Sequence, residues 1–196
     1  MPLPPRVLNV GGGTSRDLPP HYKGWEQVLL DIDPNVKPDV VCDAKEMRKL
    51  PPAKYDAVFC SHNLEHFYRH EVPAVLAGFL HVLKPDGFVQ IAVPDMMELF
   101  ERVVRDCRDI DETWYSSSGG PISFHDVIYG WGKAVAQGNL YYAHKTGFSD
   151  KTLTKALSSA GFRHVMTARE QGNLHAYAFK SKAKPTPARL KTLGVL

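Results

Sequence analysis

The chain has 196 residues, 43% hydrophobic and 10% aromatic, enough to bury one substantial core without calling for a second domain. Its net charge of +3 comes from 24 basic and 21 acidic residues, but five of the basic ones lie in the acid-free stretch from Lys180 to Lys191, leaving 19 against 21 in the body. A near-neutral body excludes the dense Lys/Arg face of a domain built on phosphate neutralisation, and nucleic acid is not an expected partner.

Arg6–Val10 is an apolar run that stops at Gly11-Gly12-Gly13, the pattern of a buried parallel strand entering a tight turn. Further strands are predicted at Gln27–Asp31, Asp39–Asp43, Tyr55–Ser61 and Gly87–Val93, the last ended by Pro94. Between the fourth and fifth, Val72, Val75, Leu76, Phe79, Leu80 and Leu83 recur at helical spacing until Lys84-Pro85-Asp86-Gly87 stops them. Strand, helix and strand in that order make a βαβ unit with a right-handed crossover. A second helical pattern runs through Met96, Leu99, Phe100, Val103 and Val104. From 110 to 147 the rhythm breaks, and Trp114, Tyr115, His125, Tyr129, Trp131, Tyr141, Tyr142 and His144 stand among Ser and Gly. So long an irregular, aromatic insert reads as a lid or binding wall. Ser149 then caps a helix to Ser159, Arg163–Ala168 and Leu174–Lys180 read as closing strands, and residues 181–196, with Pro185 and Pro187, read as a basic flexible tail.

The glycine turn does not suit a dinucleotide. Gly11 and Gly13 fill two places of GxGxxG, but Arg16 stands at the third, and Leu18-Pro19-Pro20-His21 interrupts the helix whose N-terminus would hold pyrophosphate. A cofactor without phosphate needs only the close backbone approach that glycine permits. Asp31 closes the second strand ~20 residues past Gly11, where an acid accepts hydrogen bonds from both hydroxyls of a ribose. Asp43, ending the third strand, is placed to accept from an adenine amino group. Together these residues describe one crevice at the carboxyl ends of neighbouring strands, where open α/β sheets bind ligands.

Val7-Leu-Asn-Val-Gly-Gly-Gly-Thr-Ser15, Leu30-Asp-Ile-Asp-Pro34, Tyr55–His66 with its Leu64-Glu65-His66, and Val82-Leu-Lys-Pro-Asp-Gly87 resemble the successive motifs of class I S-adenosylmethionine-dependent methyltransferases, and within them the small methyltransferase-11-like proteins. The resemblance implies an α/β fold: a Rossmann-like three-layer sandwich around a mostly parallel seven-strand sheet whose last strand is antiparallel. It implies a domain over 1–180 that carries the 110–147 insert and is followed by the 181–196 tail. S-adenosylmethionine is the implied cofactor. Gly11 and Gly13 would line its methionine part, Asp31 would bind the ribose, Ile32 would pack on the adenine, Asp43 and Ala44 would border the adenine edge, and Ser61 with His62 would face the sulfonium. Asn9 stands where the family usually has an acid, which takes negative charge away from the cofactor's amino group; Ser15 replaces a common third glycine.

Methyl transfer is an in-line displacement at a sulfonium carbon, so the protein supplies alignment, and a base where the acceptor must lose a proton. His62 and His144 are the candidates for that base. The acceptor is expected to be a small or sugar-like molecule, because the insert has few basic residues. Two other readings compete. A methyltransferase-like domain without turnover would serve as a binding subunit. His62-Asn-Leu-Glu-His66 also matches HxxEH, in which two histidines one helical turn apart hold zinc, though its context after a buried strand is wrong for a zinc hydrolase and no metal is expected. Cys42, Cys60 and Cys107 are too widely spaced for a disulfide framework or a zinc site. With no leader-like N-terminus and no apolar run near the ~18 residues of a span, the expectation is a cytoplasmic protein without a membrane anchor.

Overall fold

The computed structural model describes residues 3–117 and 119–194; residues 1, 2, 118, 195 and 196, which fall within the expected domain, insert and tail, lie outside it. Five strands lie parallel: β1 (Arg6–Val10), β2 (Glu26–Asp31), β3 (Val40–Val41), β4 (Tyr55–Ser61) and β5 (Leu83–Pro94). Two more, β8 (His164–Glu170) and β9 (Asn173–Phe179), complete a seven-stranded sheet in the order β3-β2-β1-β4-β5-β9-β8. β9 runs antiparallel to both its neighbours, Ile91 facing Ala176 and Thr167 facing Ala176 across the two ladders. This is the mostly parallel α/β sheet expected from the sequence.

The central strands read as continuous apolar runs because both their faces are covered. On one face Leu8, Val10, Val58, Cys60 and Ile91 pack with Val75, Leu76 and Phe79 of α1 (Val72–Val82) and with Leu153 and Leu157 of α5 (Asp150–Ala160). The α5 N-terminus is closed by a reciprocal cap between Ser149 and Thr152, and Gly161 ends the helix in the left-handed conformation. On the other face Val7, Ala57, Phe59, Phe88 and Phe179 meet Tyr22, from a single 3-10 turn at Pro20–Tyr22 that stands where a full helix usually follows β1.

Two expectations need correction. The 110–147 insert is not irregular: β6 (Thr113–Ser117) pairs with β7 (Gly120–Ser123), and α3 (Phe124–Tyr129) and α4 (Gly132–Ala136) follow. Phe124 and Val127 of α3 close over Leu99 of α2 (Met96–Arg105), with Trp114 packed against them, so the insert has a small core of its own. Nor are residues 181–194, the described part of the expected 181–196 tail, free. Thr186 caps α6 (Pro187–Thr192), and Leu190 and Leu193, 7% and 4% exposed, complete the second face of the sheet. The Arg189 guanidinium lies 5.3 Å from the centre of the Phe179 ring and donates to the Asp86 carbonyl at 2.7 Å, while the Tyr177 hydroxyl donates to the Leu193 carbonyl at 3.3 Å. Burial of two leucines over rings otherwise open to water holds this segment down. Among the described residues, no helix is long and apolar enough to cross a membrane.

Leu190→Ala should lower the unfolding free energy by about 2 kcal/mol, read from urea denaturation followed by circular dichroism. Unchanged stability would show that α6 is not docked in solution.

Candidate functional site

The strand order reverses between β1 and β4, so the chains leaving their carboxyl ends diverge and open a crevice. A cavity of about 410 Å³ lies there, within the range of small-molecule sites. Its floor begins at the turn after β1. Gly11 has φ of +70°, and a Cβ placed on it would fall 2.0 Å from Nδ2 of Asn63, so this position requires glycine both for its backbone and for its neighbour. The Gly13 amide donates to Asp31 Oδ2 and the Asp33 amide to Asp31 Oδ1, each at 3.0 Å. Those two bonds fix the carboxylate at the end of β2, and each oxygen keeps a lone pair for a further donor. Asp43 caps the turn that follows it by accepting from the Lys45 amide at 3.0 Å, and its other oxygen lies 3.4 Å from Lys45 Nζ, which also pairs with Glu71 at 2.8 Å.

Of the residues singled out from the sequence, Gly11, Gly13, Asp31, Ile32, Asp43, Ala44 and His62 line this cavity. Asn9, Ser61 and His144 do not. Asn9 is 3% exposed within β1, Ser61 ends β4 opposite Ala92 of β5, and His144 sits behind His66. Asn63, Phe67, Tyr68, Tyr141, Tyr142 and Lys145 complete the wall. Tyr141, Tyr142 and Lys145 belong to the insert read from the sequence as a lid or binding wall, whereas Asn63, Phe67 and Tyr68 follow β4 without a chemical signature of their own.

That end is brought in by backbone pairing. The Lys145 amide donates to the Glu65 carbonyl at 2.8 Å and the His144 amide to the Tyr129 carbonyl at 2.9 Å. Gly130, with φ of +98°, lets the two insert segments touch, since a Cβ there would fall 2.0 Å from the Tyr142 carbonyl oxygen. The result gathers His62, Glu65, His66 and His144. His62 has φ of +48° and is half-exposed, whereas Leu64–His66 is a 3-10 turn. His62 and His66 are therefore not a helical i, i+4 pair, and the zinc-hydrolase geometry of HxxEH is not formed.

Glu65 is 1% exposed. His62 Nδ1 approaches its Oε1 at 3.5 Å, and among the described residues neither Glu65 oxygen has a hydrogen-bond partner. Burial resists ionisation of Glu65, but the approach of His62, with the fields of His66 and His144, more than offsets it and holds the carboxyl below its usual range. Burial likewise opposes protonation of His62, and the nearby carboxylate outweighs it and raises the ring's pKa. At His144 burial prevails and the pKa falls.

Residues 8–91 match the family described as methyltransferase domain. Over these residues the chain is similar to that family. The match runs from β1 into β5, the parallel part of the sheet that carries the glycine turn, Asp31 and the Leu-Glu-His turn. Over the whole chain the fold of the domain is similar to solved methyltransferases. A SAM-dependent methyltransferase from Archaeoglobus fulgidus superposes with a TM-score of 0.59 at 18% identity, over 90% of this chain and 86% of that one. The 1,6-didemethyltoxoflavin-N1-methyltransferase of Burkholderia thailandensis, solved with 1,6-didemethyltoxoflavin and S-adenosylhomocysteine bound, gives 0.57 at 20% identity, over 91% and 72%. A possible histamine N-methyltransferase from Thermotoga maritima gives 0.56 at 14% identity, over 89% and 82%. Compared by sequence with proteins of curated function, the chain matches none.

Gly11→Ala forces a side chain into left-handed backbone, at about 1–2 kcal/mol, and displaces Asn63 from the cavity floor. Chemical denaturation should show a loss of at least that size; stability equal to the wild type would contradict the turn geometry.

Proposed function

We propose that this domain binds S-adenosylmethionine in the crevice between β1 and β4 and transfers its methyl group to a small-molecule or sugar-like acceptor. The observation that carries the reading is the Asp31 carboxylate, fixed by two backbone amides at the end of β2 and set in the wall of a cavity of about 410 Å³. A carboxylate held there, with a lone pair left on each oxygen, suits the two hydroxyls of a ribose. Ile32, 39% exposed beside it, offers an apolar surface to an adenine, and Ala44 borders the same end. The glycine turn leaves the backbone open to the methionine part.

The cofactor supplies an electrophilic methyl carbon when bound; the protein aligns it and shields the reacting atoms from water. His62, at the end of β4, is a titratable ring that faces the cavity, with Nδ1 turned to Glu65. It is placed to take a proton from a hydroxyl or ammonium acceptor. His144 does not line the cavity, which favours His62 for that role. The acceptor side is walled by Phe67, Tyr68, Tyr141 and Tyr142, rings that suit the face of a small ring or sugar. Lys45 is neutralised by Glu71 and Asp43, and Lys145 Nζ lies 5.3 Å from the centre of the Tyr68 ring. All three cysteines are unpaired among the described residues, which favours a cytoplasmic site of action.

Calorimetric titration with S-adenosylhomocysteine tests the reading. One saturable site is expected, weakened about 10–100-fold by Asp31→Ala, the loss of charge-assisted hydrogen bonds worth roughly 1.5–3 kcal/mol. No binding by folded protein would refute the function. Binding without methyl transfer to any acceptor pool would point instead to a binding subunit.

A further inference from the structure

The Glu65 carboxylate is the buried group that methyl transfer, as described, does not use. It is 1% exposed, and among the described residues neither oxygen has a hydrogen-bond partner, His62 Nδ1 standing off from Oε1 at 3.5 Å. A buried carboxylate left in that state is costly unless a cation neutralises it. Two rings close on it. His66 and His144 have centroids 4.9 Å apart, and one ligating atom from each of Glu65, His66 and His144 can be chosen so that all lie within 4.8 Å of one another.

The orientation of the rings is set from outside the cluster. His66 Nδ1 lies 3.1 Å from the Ala143 carbonyl oxygen and His144 Nδ1 lies 2.9 Å from the Val127 carbonyl oxygen. A carbonyl only accepts, so in both rings Nδ1 carries the proton and donates it, and the lone pair of the neutral imidazole is on Nε2. Two rings with Nδ1 tied to backbone carbonyls and Nε2 unprotonated, next to an unsatisfied carboxylate, have the outer-shell arrangement of metal ligands.

We propose that Glu65, His66 and His144 bind a divalent transition-metal ion of the zinc type, and that this ion holds an oxygen of the methyl acceptor. The inference rests on the methyltransferase reading and narrows it: the acceptor atom is a hydroxyl oxygen. Two imidazoles and one carboxylate select zinc or its first-row neighbours over magnesium and calcium, which prefer all-oxygen sets. Three protein ligands leave a coordination position free, and His66 is the member of the set that also lines the cavity. An acceptor hydroxyl on such an ion loses its proton to water near neutral pH. The ion thereby takes over the work otherwise assigned to His62. The oxygen's electron pair then forms the bond to the methyl carbon as the carbon–sulfur bond breaks. That pair returns to sulfur, which leaves as a neutral thioether, and nothing is oxidised or reduced.

The test is calorimetric titration of the full chain, stripped with chelator and dialysed, with Zn²⁺ alone, beside Mg²⁺ and the variants His144→Ala and Glu65→Gln. The expected result is one equivalent of Zn²⁺ per chain, no competition from equimolar Mg²⁺, and affinity lowered on the order of 100-fold or more in His144→Ala. His144→Ala should keep the wild-type circular dichroism, so that the loss is read on folded protein if Glu65→Gln fails to fold. No saturable binding by folded wild type, or binding that His144→Ala leaves unchanged, would overturn the site. S-adenosylhomocysteine titrated into the same samples separates the two readings. Its binding without zinc binding removes the ion and leaves methyl transfer standing, and zinc binding without it does the reverse. Transfer to an amine acceptor that proceeds equally in chelator would overturn the oxygen assignment.

Discussion

Everything at this site follows from the reversal of strand order between β1 and β4. Two parallel strands lie side by side, yet the chain leaving β1 turns toward β2 and the chain leaving β4 turns toward β5, so no segment can cover the gap between their carboxyl ends. The gap exists only if the turn after β1 stays thin, and Gly11 is thin enough for Asn63 to pack where its side chain would be. Asp31 then reaches the same gap from β2, and its two backbone donors hold it there before any ligand arrives. Pre-positioning of this kind reduces the ordering cost of binding.

The opposite side of the gap is built from distant sequence. In the 3-10 turn at Leu64–His66 the Glu65 carbonyl accepts from the amides of Lys145 and Thr146, and the insert sets His144 against His66. The insert's own core on α2 makes this side stiff, so the cavity has a formed wall instead of a loose loop. One buried carboxylate, Glu65, thus sits at the meeting point of the two sides, where the approach of His62 counters the burial that resists its ionisation.

Much of this was legible in the sequence, and the reasons for the rest are physical. The strand Tyr55–Ser61 is read correctly to the residue, because an apolar run buried on both faces and bounded by breakers leaves little choice. Asp31 and the glycines could be placed in one crevice because strand ends in a parallel sheet lie side by side. The hairpin Thr113–Ser117 with Gly120–Ser123 was missed because its residues are mostly polar and half-exposed, with no alternation to mark a buried face. The docked helix at Pro187–Thr192 was hidden by its basic composition and prolines. Thr186 before Pro187, a capping residue ahead of a proline at the first helical position, was the available signal. The pairing of His144 with His66 spans 78 positions in the chain and no local pattern could announce it. The HxxEH motif brought Glu65 and His66 into view through a helical spacing that the 3-10 turn at Leu64–His66 does not support.

The most direct measurement of the central claim is a crystal structure of the full chain with S-adenosylhomocysteine. The account predicts the ribose hydroxyls on the Asp31 carboxylate, the adenine against Ile32 and the sulfur at the His62–Asn63 end of the crevice. The same ligand bound away from Asp31, or a crevice left empty at saturating ligand, would contradict it.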